Sequence, residues 1–215
     1  MKNKLLINIA FWVLSVGFVN AQQHEYVDLG LPSGTLWATT NIGADNPEDA
    51  GDYFAWGETT TKSRYKWVTL KYCEDRTGYR FSKYNTKSEY GNIDDKTTLE
   101  RSDDAATANW GSDWCMPNQQ QFQELKDNCK WTWTTRKGMN GYEVKGNNGN
   151  SIFLPAAGST NLSCVGAYGS YWSSSLDAVI PHYGHGLYFG AGGVTPGGWG
   201  SRQVGQSVRA VRCKN

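Results

Sequence analysis

Apolar residues along this chain fall into one long run and many short ones. The long run, residues 5–19, follows Lys2 and Lys4 and includes Phe11, Trp12, Val13 and Leu14. After it no continuous apolar stretch recurs, and the pattern becomes short groups divided by Gly, Pro and polar residues. Residues 25–31 and 35–42 read as two short strands around the turn Pro32-Ser33-Gly34. Residues 59–92 are polar and without clear period, and predict loops and short strands. Asp103 and Asp104 precede an Ala-rich stretch that Gly111 closes, which predicts a short helix over 103–110. Pro117 and Asn118 open a second helix, 119–128, with Phe122 and Leu125 three apart on its inner face. Trp131 and Trp133 alternate with threonines, as in a half-buried strand. Residues 142–145 and 151–154 flank Gly146-Asn147-Asn148-Gly149 and predict a hairpin. Between Gly166 and Gly205 there are 11 glycines, so this region predicts long loops with short strands at 171–174 and 186–189. Residues 207–213 read as a terminal strand. The order of strands, two short helices and more strands is that of an α+β domain.

The ends and the composition add location. Lys2 and Lys4, the apolar run and the small residues at Val19 and Ala21 have the layout of a secretory signal peptide. The run is shorter than the ~20 residues of a membrane span. We therefore expect residues 1–21 to be a signal peptide and 22–215 a single exported domain. It would be periplasmic, surface-associated or secreted, with no membrane span after cleavage. The formal net charge of +1 favours neither nucleic acid nor an anionic surface. With 10 Trp and 12 Tyr, the core is expected to lean on aromatic burial.

Five cysteines, Cys73, Cys115, Cys129, Cys164 and Cys213, include no CxxC pair, and only three histidines accompany them. Export permits disulfides, so structural bridges plus a leftover thiol are expected, with Cys73 the candidate for the free one. His182 and His185 could begin a metal site, but no ligand set completes it nearby in sequence, and no metal or other cofactor is expected. No Gly-x-Ser-x-Gly elbow occurs, and no catalytic residue is assigned. Arg209 lies among small and apolar neighbours, so it should be buried and paired. Asp103 and Asp104 are the acids expected to pair with it.

Several strings together resemble the Fibrobacter succinogenes major paralogous domain family. They are EYVDLGLPSGTLWA at 25–38, GDYFAWGE at 51–58, DDAA at 103–106, WCMP at 114–117, FQEL at 122–125, YWSS at 171–174 and GQSVR at 205–209. Similar openings occur in exported Bacteroidetes proteins. Cys115 stands where that family carries Arg, and Ala210 where it carries Pro. The resemblance implies a C-type-lectin-like fold, distantly related to formylglycine-generating and sulfatase-modifying enzymes. The spaced cysteine pair of those enzymes is missing, so a sulfatase-modifying activity ranks last. It implies that Cys213 is a structural closing cysteine, bridged to Cys115 or Cys129, and that the first and last strands are neighbours. It also implies recognition by loops. Among the Gly-rich residues, Trp199, Tyr183 and His182, with His185 and Tyr168 beside them, are then the candidate ligand-facing patch. The expected role is non-enzymatic binding of a carbohydrate or cell-surface protein, with a part in a cell-surface fibre or complex as the alternative.

Overall fold

The computed structural model describes residues 24–161 and 164–213. The signal-peptide reading of residues 1–21 lies outside the described residues.

Among the described residues three antiparallel sheets and two short α-helices form the architecture, in agreement with the α+β expectation. The first sheet joins both ends of the described chain. It contains β1 (Tyr26–Asp28), β2 (Leu36–Ala38), β3 (Trp114–Cys115) and β10 (Val211–Arg212), in the order β1-β2-β10-β3. The first and last strands thus share a sheet but are not adjacent, because β2 stands between them. Val211 faces both Trp37 and Cys115 across β10. That register brings Cys213 to Cys115, and the two form a disulfide with Cα atoms 5.4 Å apart. Closing a loop this long removes denatured-state entropy worth about 4–5 kcal/mol in the chain-entropy account. Cys73, Cys129 and Cys164 are free.

The helices are short because their caps are close. In α1 (Ala105–Trp110), Asp104 is the N-cap and accepts from the Thr107 amide at 2.9 Å. The helix therefore starts two residues later than expected, and Asp103 ends a separate 3-10 turn. In α2 (Gln119–Asn128), Asn118 and Gln121 exchange a reciprocal capping box. Phe122 and Leu125 are both fully buried, as their spacing predicts.

The second sheet is a meander of β4 (Cys129–Arg136), β5 (Met139–Gly146) and β6 (Ser151–Pro155). The third is another, of β7 (Tyr168–Leu176), β8 (Tyr183–Gly190) and β9 (Gly193–Ser201). This third sheet corrects the loop reading of residues 166–205. Most of its glycines make room for rings. A Cβ on Gly169 would sit 2.0 Å from Phe189, on Gly184 2.6 Å from Trp56, and on Gly198 2.6 Å from Tyr188. Here glycine marks close approach between a strand and an aromatic side chain.

β7 is the wall between two aromatic clusters. Trp172 points into one with Phe54, Trp56 and Trp114, and Tyr171 into the other with Trp37, Phe122 and Phe189. Side chains that alternate across a strand reach opposite faces, so β7 serves both cores.

Arg209 is fully buried, as expected, but it has no acid partner among the described residues. Its guanidinium donates to Asn41 Oδ1 at 2.9 Å and to the carbonyls of Ala38, Thr39 and Phe153 at 3.0–3.1 Å. Burial pulls its pKa down to about 10, which leaves it charged at neutral pH. Asp104 is occupied at the helix start, where it also accepts from the Met116 amide at 2.8 Å. Asp103 lies beneath the polar 59–92 segment and collects Lys71, Lys83, Tyr72 and Tyr84. The expected ion pair fails because several correctly placed carbonyls can satisfy a guanidinium's five N–H groups without any net counter-charge.

Candidate functional site

The candidate site is an aromatic platform at one end of the third sheet. β8 alternates regularly. Tyr183 and His185 lie on one face, and Gly184 and Gly186 on the other, where Gly184 lies against Trp56. His185 is opposite Trp199 of β9, which puts both on the Tyr183 face. The rings of Tyr183 and Trp199 lie 4.8 Å apart between centroids. His182, just before β8, meets Tyr183 edge-on at 4.8 Å.

Two residues that the sequence reading left out extend the platform. His182 packs at a tilt against Trp67, with centroids 4.3 Å apart, and lies 5.9 Å from Tyr79. Both come from the polar excursion, about a hundred positions earlier. Asp75 holds the segment that presents Tyr79. Its carboxylate accepts from the amides of Thr77, Gly78 and Tyr79, each at 3.1 Å. Burial alone would raise the Asp75 pKa, but these bonds and those from Thr77 Oγ1 and Cys73 outweigh it and hold the carboxyl well below its usual range. Gly78, with φ of 92°, packs flat on Trp67, where a Cβ would lie 2.5 Å from the indole. The nearest sequence-level signal for this arrangement is the Asp75…Gly78 turn chemistry.

The platform is rigid behind and open in front. His182 Nδ1 lies 2.8 Å from the Gly78 carbonyl, and His185 Nδ1 lies 3.1 Å from that of Gly197. A carbonyl can only accept, so each neutral ring carries its proton on Nδ1 and leaves Nε2 as an acceptor. Burial lowers the His182 pKa below its ordinary value and favours the neutral ring. Trp199 is 62% exposed and Tyr79 63% exposed, while His182, Tyr183 and His185 are half-buried. The Trp199 indole N–H and the hydroxyls of Tyr79 and Tyr183 have no hydrogen-bond partner among the described residues. The turn before Tyr183, where the Tyr183 amide donates to the Ile180 carbonyl, adds exposed Val179 and Ile180 at the rim.

Tyr168 does not belong to this set. It is opposite Gly190, five positions along β8 from His185, and so roughly 17 Å away along the strand. It also lies on the other face, because Gly190 alternates with Phe189, which shares the face of Tyr183. The expected patch therefore divides into Trp199, Tyr183, His182 and His185 at one end and Tyr168 at the other. These residues stand on or beside strands, and of the five only Trp199 and Tyr168 are more exposed than buried. Among the described residues no group of three His, Cys, Asp or Glu could hold a metal ion, and no helix is long and apolar enough to cross a membrane.

No protein-family model matches the chain, and neither the curated proteins nor the solved structures include a match.

Proposed function

We propose that the protein is an exported, non-enzymatic binding domain of the lectin-like class suggested by its sequence strings, and that it recognises a glycan through the aromatic platform. The observation that carries this reading is a run of rings, Trp67, Tyr79, His182, Tyr183 and Trp199, held from behind with polar tips left free. Ring faces receive the apolar faces of sugars, and free N–H and O–H groups receive their hydroxyls. Exposed Val179 and Ile180 favour a second reading, a surface protein as the partner, because aliphatic rims contribute to protein interfaces.

The test is a glycan array with the exported protein and Trp199→Ala. Binding to an arrayed glycan that the variant loses, with its melting temperature unchanged, supports the first reading. Capture of a surface protein, with every glycan unbound, supports the second. Binding undiminished in the variant overturns the platform as the site.

A further inference from the structure

The far end of the same sheet holds a groove of about 970 Å³. Trp133 of β4 and Tyr168 of β7 line it, and the β8–β9 turn with Val194 and Thr195 completes it. It is a shallow, open groove. Its chemistry is specific. None of its 15 lining residues carries a charge, in a chain with 21 basic and 20 acidic residues.

An ionised ligand would enter this groove without a counter-charge, which is costly once it is desolvated. A wholly apolar ligand would cover polar groups and leave them unpaired. The Trp133 indole N–H, the Tyr168 hydroxyl and the Thr195 hydroxyl have no hydrogen-bond partner among the described residues, and burying any of them unpaired is unfavourable. The walls are already set. Asn140 donates to the Gly166 carbonyl at 2.9 Å and its Oδ1 pairs with Thr135 Oγ1 at 2.6 Å, while the Tyr142 hydroxyl donates to the Gly190 carbonyl at 3.1 Å. Trp133 is packed edge-on against Tyr142 and Phe189, whereas Tyr168 is 54% exposed. A ligand that meets all these conditions is neutral, has an apolar face for each ring, and carries hydroxyls for the free tips.

We propose that this groove is a second binding site, independent of the platform, that takes a neutral saccharide against Trp133 and Tyr168. Two variants probe it without entering the core. Tyr168→Ala removes an exposed ring. Gly192→Arg fills the groove from a position where a Cβ meets nothing within 4 Å.

Titration calorimetry would compare neutral gluco-, xylo-, manno- and galacto-oligosaccharides with matched uronic-acid oligosaccharides. At least one neutral oligosaccharide is expected to bind. Its affinity should fall about tenfold or more in both variants, equally so when each is made on a Trp199→Ala background, with melting temperatures unchanged. The proposal is overturned if no neutral oligosaccharide binds, if the uronic acids bind better, or if only Trp199→Ala weakens binding. It is also overturned if Gly192→Arg instead abolishes a concentration-dependent dimer, which would assign the groove to a second copy of the chain.

Discussion

Trp172 and Trp199 belong to the same three-stranded sheet and have opposite fates. Trp172 is fully buried, and its indole N–H donates to the Phe54 carbonyl at 2.8 Å. Trp199 is mostly exposed, and its indole N–H has no partner among the described residues. The ring is the same in both places, so its apolar area does not decide which of the two is buried. The polar tip separates them. In Trp172 the tip is bonded to backbone and in Trp199 it is free, and exposure has to accompany a free tip, since the indole N–H of fully buried Trp37 also lacks a partner among the described residues.

The largest expected effect tests the structural side. Trp172→Ala should destabilise the protein by about 3–5 kcal/mol in chemical denaturation, since a large ring and its anchoring hydrogen bond both go. A loss below about 1 kcal/mol would break the comparison.

Next comes Arg209→Leu. It leaves three carbonyls and Asn41 Oδ1 without their donor inside the core, which should cost about 3 kcal/mol. Equal stability would show that the neutral cradle contributes nothing.

Asp103→Asn should cost about 2 kcal/mol at neutral pH, as expected when a buried group loses charge-assisted bonds. It also has a pH signature. Burial raises the Asp103 pKa, but the bonds from Lys83, Tyr84, Tyr72 and Lys71 outweigh it, so the folded value lies well below the ordinary one. A depressed folded pKa gives stability that is fully present above the unfolded value and lost as pH falls through the folded one. Parent stability should therefore decline below about pH 4, and the decline should be shallower in Asp103→Asn. Parallel acid curves for the two proteins would remove Asp103 from the account.

The smallest effect is Trp199→Ala, expected within about 0.5 kcal/mol of the parent. A clear drop in stability would make Trp199 a second Trp172 and would end the distinction between them.

Local features were the legible part of the fold. The 119–128 helix could be read because its cap, Asn118, and its inward pair, Phe122 and Leu125, lie within one segment. The β5–β6 hairpin was legible for the same reason, with alternating strands around a Gly-bounded turn. The β8–β9 hairpin was missed because its glycines were read as turn residues. Most of them instead make room for a ring: Gly184 accommodates Trp56, a residue 128 positions away, although Gly197 meets Gln119 and Gly193 meets nothing within 4 Å. The candidate site was half legible. Trp199, Tyr183 and His182 stood out as aromatics beside Gly or Pro, but Trp67 and Tyr79 sit in a stretch with no period, and nothing local joins them to β8.

By itself the sequence determined what short-range chemistry can express: where helices start, where strands alternate, and that Arg209 would be buried. Tertiary structure alone decided what satisfies that arginine, which glycines lie beneath rings, and that Tyr168 and Trp199 stand on opposite faces. The reason is physical. Capping and periodicity act within a few residues, whereas the partner of a buried charge and the face of an exposed ring depend on strand register between distant segments, and a shift of one residue would reverse every face.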